Sequence, residues 1–580
     1  MSPSHDGRAD VRERLWVALL LATHLALALW GAARNSVTFD ENFHLPAGVM
    51  IAARGELRIS AVNPPLVKAL CGAAALAAGA ELPSRAALAD GEQGVVGESF
   101  MRVNAARYAR VFFAARCVVA LLSVGLGLLV WAFARQLYGA RGALLALSFY
   151  AFAPEAIAHA GVATMDLATG LAFLASVFLF WRFARTGRRG AWAWTALAVG
   201  LALLTRFTAV LLAPLLVVLA AAYALTGRVR HPGRLWLGLA LLLPAALVIL
   251  DLGYLGRTSF EPIGRWHFVS RSFQSLQHAA PWLRLPLPNT WVGGIDRQAV
   301  ESQSGATPTY VLGRIHSEPV RWYFPFAMLI KWPLGFLLAL LARGMSFIPG
   351  WGRHRWRHEL FLLVPVAVLL GAGALANLNI GIRYMFPVLP FLCVWLGGLG
   401  ATRRRRRAPS AARPPIVSGG IPPARARRAL GPVLGVALAF AQAAESTAAA
   451  PWELSFFNLA AGGPGGGDRL INDSNVDWGQ GLIALREELA RRGIRRVHLA
   501  YHGTADPAVY GIDYVPFLGG TPGPESDWMA VSSYYFVGLP QRMMTPRGPT
   551  PQSVRFDMRA LWARTPAARP ARCMYLFKIR

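Results

Sequence analysis

Asp40 and Glu41, within Asn35-Ser-Val-Thr-Phe-Asp-Glu-Asn-Phe-His44, stand just past the first long apolar stretch, Leu15 to Ala33. Adjacent carboxylates at the mouth of a membrane helix lose hydration unless they face water, a cation or a reacting group. A carboxylate looking into a low-dielectric cavity binds its proton more tightly and can act as a general base. Asp40 is the candidate for that role, with Glu41 beside it. In a helical segment Glu41 and His44 fall one turn apart, a spacing that can hold a divalent metal. The ordinary alternative is a helix cap plus solvated loop charge.

A second acid, Asp166, ends Ala158-His-Ala-Gly-Val-Ala-Thr-Met-Asp, with His159 seven residues before it. It can be an amino-terminal cap or, with His159, part of a site. Cations follow on apolar ground. Arg206 interrupts Leu201-Ala-Leu-Leu-Thr-Arg-Phe-Thr208, and Lys331 lies inside Tyr323-Phe-Pro-Phe-Ala-Met-Leu-Ile-Lys-Trp-Pro333. Arg383, with Tyr384 next to it, opens a helix after Asn377-Leu-Asn-Ile-Gly-Ile. Membrane cations need anionic partners, and a guanidinium fork matches a phosphate group. Snorkelling to the interface is the competing account for Arg206 and Arg383. Three such cations on one face point to a phosphate-bearing ligand.

Composition sets the frame that must position these residues. Of 580 residues 55% are hydrophobic and 15% charged, against about 25% charged in soluble domains. The chain reads as a polytopic α-helical membrane protein. Its net charge of +29 is not a nucleic-acid signature. The arginines cluster between apolar stretches, at Arg182–Arg189, Arg228–Arg234, Arg353–Arg357 and Arg403–Arg407, as the positive-inside rule requires. No aromatic platforms are interleaved with them, so a nucleic-acid partner is not expected. The four cysteines, Cys71, Cys117, Cys393 and Cys573, show no CxxC spacing.

A span needs ~20 apolar residues. Eleven stretches qualify or come near: Leu15–Ala33, Val111–Phe133, Gly142–Ala153, Leu167–Phe183, Ala191–Thr205, Phe207–Leu225, Leu235–Leu255, Phe324–Ala342, Leu360–Ala376, Tyr384–Ala401 and Leu430–Ala444. Alternating them places the arginine loops in the cytoplasm and Asp40, Asp166, Arg206 and Arg383 outside it. The segment from Pro154 to Asp166 is expected to dip into the membrane rather than stand clear of it. The expected division is a transmembrane region at 1–449, with external loops at 34–110 and 256–323, and a soluble α/β region at 450–580. Leu66–Ala80 reads as an interfacial helix and Gly462–Gly467 as a flexible link. In the tail, Arg469–Asp473 and Arg496–Tyr501 read as strands flanking a helix at Gly481–Arg492. The polar turns Asn472–Gln480 and Tyr501–Asp506 suit local structure or acceptor binding better than catalysis.

Taken together, several stretches resemble the GT-C superfamily of membrane glycosyltransferases. The likeness is to the branch of dolichyl-phosphate-mannose protein mannosyltransferases and bacterial aminoarabinose transferases. It rests on Thr38-Phe-Asp-Glu-Asn-Phe-His44, Asn63-Pro-Pro-Leu-Val-Lys68, His159 to Asp166, Leu203-Leu-Thr-Arg-Phe-Thr208 and Ile380-Gly-Ile-Arg383. These lie in order between Leu15 and Ala401. The resemblance implies a sugar taken from a polyprenyl-phosphate carrier on the non-cytoplasmic face of the plasma (inner) membrane, with inversion. It implies Asp40 as base, Glu41 beside it, and Asp166 as second functional acid. His159, Arg206, Lys331, Arg383 and Tyr384 are then the candidates for substrate contact. Arg206 stands where the family usually has lysine. The tail is unlike that of the eukaryotic members, so the hydroxyl acceptor stays open among protein, lipid and glycan. A transporter or flippase of lipid-linked sugars, or a polysaccharide polymerase or ligase, is the alternative. Acids at helix ends on one side fit surface chemistry better than a transporter's midplane charges.

Overall fold

Proline and apolar length together decide where this chain runs straight and where it bends. The structure, a computed structural model, describes residues 5–60, 62–227, 229–303, 308–345, 356–401, 423–545, 548–554 and 558–580. The Arg403–Arg407 run lies outside the described residues, as do parts of the Arg228–Arg234 and Arg353–Arg357 clusters.

Among the described residues six helices are long and apolar enough to cross a membrane. They are Asp10–Arg34, Ala105–Tyr138, Asp166–Thr186, Phe207–Ala224, Pro232–Gly253 and Trp356–Leu375. Two broken pairs raise the number to eight if each is one span: Ala140–Ala151 with Pro154–Ala160, bent by 62°, and Tyr323–Lys331 with Leu334–Met345, bent by 113°. Each break falls at a proline. Pro154 and Pro333 force the residue before them out of the helical region, and Ala153 and Trp332 are both extended. The remaining expected spans are shorter or fragmented. Ala191–Thr205 becomes the fifteen-residue helix Arg189–Leu203, and Tyr384–Ala401 splits into a nine-residue helix, Val388–Leu396, between two 3-10 turns. The last candidate lies within the helix Pro423–Thr447.

The first loop is built to hold Asp40 still. Helices Glu41–Arg54 and Leu66–Ala77 cross at backbone contact. A Cβ on Gly48 would sit 2.1 Å from the Lys68 carbonyl oxygen, so only glycine permits the crossing. Lys68 then closes the Asn63-Pro-Pro turn, its Nζ donating to the Ser60 and Asn63 carbonyls at 2.7 and 2.6 Å.

In the tail a four-stranded sheet has the order Asp513–Pro516, Arg496–Ala500, Trp528–Ser532, Met574–Lys578. The first three strands are parallel and the last antiparallel, with Leu499 opposite Ala530 and Ala530 opposite Leu576. Helix Leu482–Arg491 and strand Arg496–Ala500 fall where the periodicity put them. Two other readings need correction. Arg469–Asp473 is not a strand: 3-10 turns flank it at Gly467–Arg469 and Asp473–Asn475, and Ile471 makes a single bridge to Val311. The segment's polar groups reach distant single partners instead: the Leu470 carbonyl accepts from Leu312 N (2.7 Å), and Asn472 Nδ2 donates to the Ser533 carbonyl (3.3 Å). Nor is the glycine tract a loose link. Gly467 packs so closely that a Cβ would lie 2.0 Å from the Phe457 ring.

The tail is sewn onto the start of the loop that carries the acids. Ser36 N donates to the Gln480 carbonyl (3.0 Å), Phe39 N to the Trp478 carbonyl (2.8 Å), and Leu482 N to Ser36 Oγ (3.0 Å). Val37 N reaches the Tyr510 hydroxyl at 2.8 Å.

Candidate active site

Four of the singled-out charges meet at one end of the helical bundle. Asp40 occupies the residue before helix Glu41–Arg54 but makes no capping bond. Its Oδ2 accepts instead from Arg383 Nη1 at 2.7 Å. The same Nη1 lies 3.8 Å from Asp166 Oδ2, while Arg206 Nη1 pairs with Asp166 Oδ1. Asp166 likewise caps nothing; Thr164 Oγ1 donates to it at 3.1 Å. Tyr384 lies under both guanidinium groups, 5.0 Å from Arg206 Cζ and 5.1 Å from Arg383 Cζ. Burial is graded. Asp166 is 1% exposed, while the Asp40 side chain keeps 25%, so Asp40 is the acid that faces outward. Neither arginine snorkels: both are more than 90% buried.

A third wall comes from the tail. Trp478 lies against Arg383, ring centroid to Cζ 4.1 Å, and is itself buried. A desolvated cation–π contact of this kind is worth about 2 kcal/mol. The loop bearing Trp478 is pinned on both sides. Asn475 Oδ1 accepts from Ile382 N (2.9 Å), its Nδ2 donates to the Tyr323 hydroxyl (2.7 Å), and Ser474 Oγ donates to the Ile380 carbonyl (2.7 Å). The sequence flagged this loop as polar, but nothing local reveals that its tryptophan would meet an arginine 95 residues upstream.

Asp477 fixes the turn before that tryptophan. It accepts from Gly479 N at 2.9 Å and from Ser532 Oγ. Burial pushes its carboxyl from 3.8 up to about 7. A carboxyl raised on folding stabilises fully below its unfolded value, and that contribution is lost as pH rises through its folded value. We therefore expect Asp477→Asn, which keeps an acceptor for Gly479 and offers a donor to Ser532, to gain thermal stability over the parent between about pH 4 and 7.5. Melting both proteins across that range checks this; a constant difference in midpoint would contradict it.

Other candidates are placed differently from their expected roles. Glu41 does not face the cleft. Its carboxylate forms a two-pronged ion pair with Arg116 (2.8 and 2.6 Å) and accepts from Thr38 N, Thr38 Oγ1 and Ala163 N at 2.8–3.0 Å. Burial works to raise this carboxyl, but Arg116 prevails and holds it below its ordinary value. Its oxygens are thus spent, and the proposed Glu41–His44 metal pair loses its carboxylate. Among the described residues no group of three His, Cys, Asp or Glu is placed to hold a metal ion. His44 is buried, with its imidazole pushed down to about 4 by that burial. Among the described residues Lys331 forms no ion pair with Asp40 or Asp166. Its Nζ donates to the Leu454 and Asn475 carbonyls at 2.9 and 2.5 Å and lies over the Phe457 ring. It ties the tail to the bundle. His159 does belong to the cluster, packed edge-on against Phe386 and Trp478. Arg116, the partner of Glu41, escaped the sequence reading because it sits in mid-pattern on a long apolar helix.

Residues 100–250 match the family model of dolichyl-phosphate-mannose-protein mannosyltransferases. The resemblance drawn from the motifs is borne out by that match. Comparison with curated proteins finds no match. Among solved structures, ArnT from Cupriavidus metallidurans bound to undecaprenyl phosphate is similar at 16% identity and TM-score 0.46, over 85% of this chain and 74% of that one. AglB from Archaeoglobus fulgidus, in complex with an inhibitory peptide and a dolichol-phosphate, aligns at 12% identity and TM-score 0.45, over 98% and 77%. The Pmt1-Pmt2 complex of S. cerevisiae, bound to the sugar donor, aligns at 18% and TM-score 0.29, over 42% and 32%.

Proposed function

We propose that this chain is an inverting glycosyltransferase, moving a sugar from a polyprenyl-phosphate carrier to a hydroxyl acceptor on the extracytoplasmic face of the plasma membrane. The family match supports the reaction class. The observation that carries the site is the meeting of Asp40, the least buried acid, with Arg383 over Asp166 and Arg206. The arginine-rich loops support that sidedness, since such loops belong in the cytoplasm and the alternation then leaves Asp40, Asp166, Arg206 and Arg383 outside. The alternative, a flippase of lipid-linked sugars, has less support: the charges gather at helix ends rather than at a midplane site.

The chemistry follows from charge. An acceptor hydroxyl attacks the anomeric carbon as Asp40 takes its proton, and the bond from that carbon to the phosphate oxygen breaks with its electron pair. One face attacked and the other departing inverts the centre. Negative charge grows on the leaving polyprenyl phosphate, where guanidinium donors offset it. Arg383 has a buried Nε with no partner among the described residues, so it has a donor to spend on a phosphate oxygen. That donor is separate from the Nη1 that pairs with Asp40, so Arg383 can meet a phosphate and Asp40 together.

The test is affinity for undecaprenyl phosphate. A hydrogen bond to a charged group contributes ~1.5–3 kcal/mol, so Arg383→Ala should weaken binding by about 10- to 100-fold. Unchanged affinity would contradict the phosphate role.

A further inference from the structure

One imidazole near the cleft is not explained by packing alone. His502 follows the strand Arg496–Ala500 and belongs to the tail. Its ring stacks on Tyr534, with centroids 3.8 Å apart and planes 2° off parallel. On another side it meets the Phe39 ring, the residue before Asp40, at 5.6 Å and 21°. The side chain is half-buried, and no described residue hydrogen-bonds either ring nitrogen. Asp40 bears on it electrostatically, while burial pushes the imidazole down to about 3, toward the neutral form.

The surrounding loop fixes the ring rather than letting it wander. Thr504 Oγ1 donates to the Phe39 carbonyl at 3.0 Å, and Asn42 Nδ2 donates to the Thr504 carbonyl at 3.2 Å. Tyr501 donates its hydroxyl to the Gly479 carbonyl at 2.8 Å, tying the same loop to the turn after Trp478. Three aromatic contacts, the third edge-on to Tyr535 at 6.0 Å, and three hydrogen bonds of its loop thus hold the imidazole on the side made by the tail. A neutral imidazole offers one donor and one acceptor, the complement of a hydroxyl group.

We propose that His502 is an acceptor-binding residue, which hydrogen-bonds the incoming hydroxyl and aligns it between Asp40 and the anomeric carbon. This rests on the glycosyl-transfer reading and extends it: the bundle holds the donor's phosphate and the tail selects the acceptor. The ring takes up no net proton; that passes to Asp40.

The experiment uses three variants of the full chain and separates the two sides of the site. His502→Phe keeps the stack on Tyr534 and removes both nitrogens. His502→Gln restores a donor and an acceptor, and His502→Ala removes everything. Each is expressed in cells lacking the chain, and glycosylated product is counted by mass spectrometry in lipid, glycan and protein fractions. The purified variants are titrated with undecaprenyl phosphate. We expect His502→Phe and His502→Ala to lower product at least tenfold, His502→Gln to recover part of it, and undecaprenyl phosphate affinity to stay within twofold of the parent. Parental product from His502→Phe would overturn the proposal, as would a loss of undecaprenyl phosphate affinity in His502→Phe matching that of Arg383→Ala. A parent that neither binds undecaprenyl phosphate nor changes any fraction would instead defeat the transfer reading itself. The fraction in which product is lost distinguishes a sugar hydroxyl from a protein side-chain hydroxyl.

Discussion

Asp40→Asn should lower sugar transfer by ~10²–10⁴-fold, the usual contribution of a positioned general base. The substitution keeps size and shape, and the amide retains an oxygen that can accept from Arg383. Folding should therefore be untouched, because the Asp40 side chain caps no helix and keeps 25% exposure. Binding of undecaprenyl phosphate should hold or strengthen, since Arg383 would be released from a competing carboxylate. The comparison to make is the transfer rate beside the thermal midpoint and lipid affinity of the same preparation. A variant with parental transfer would remove Asp40 from the reaction. One that lost transfer together with its fold would show the acid to be structural.

Arg116→Ala should cost about 3–5 kcal/mol of stability, the largest structural effect expected of any single change here. All five guanidinium N–H groups are spent: two on Glu41, and the rest on the carbonyls of Ala32, Asn35 and Ser36 at 2.7–2.8 Å. Without the arginine, Glu41 would remain at 0% exposure with no counter-charge. Three backbone carbonyls at the end of the first helix would lose their donor as well. Unfolding in detergent, followed by helical circular dichroism, measures the loss. Pairing the change with Glu41→Gln should recover part of it, because a neutral amide tolerates burial better than a lone carboxylate. A single variant as stable as the parent would show that this ion pair does not hold the segment carrying Asp40.

What could be read from the sequence follows the reach of each signal. Asp40 was visible because an acid at a helix mouth is costly wherever the rest of the chain goes. Asp166, Arg206 and Arg383 were visible for the same reason, but not their pairing, which spans 40 and 217 residues of chain between them and Asp166. Glu41 shows the limit of the argument. Its neighbour faces outward while it turns inward, and only the distant Arg116 decides that. Lys331 departs from its expected role because its ammonium is held by the Leu454 and Asn475 carbonyls, with the Glu155 carboxylate bearing on it, and neither carbonyls nor so distant an acid carries a local sequence signal. Trp478 and His502 were the least legible. Each lies in a polar turn that local capping would explain, and each acquires its neighbours only when the tail folds back onto the bundle.

The most direct measurement follows a single labelled bond. The purified chain is given a polyprenyl-phosphate donor carrying radiolabelled sugar, in vesicles that also contain envelope lipid and glycan, with Asp40→Asn run in parallel. The parent should separate sugar from carrier, leaving polyprenyl phosphate and a product of opposite anomeric configuration, while the variant leaves the donor intact. Donor that crosses the bilayer with its sugar still attached, equally in both proteins, would contradict glycosyl transfer and make the molecule a transporter.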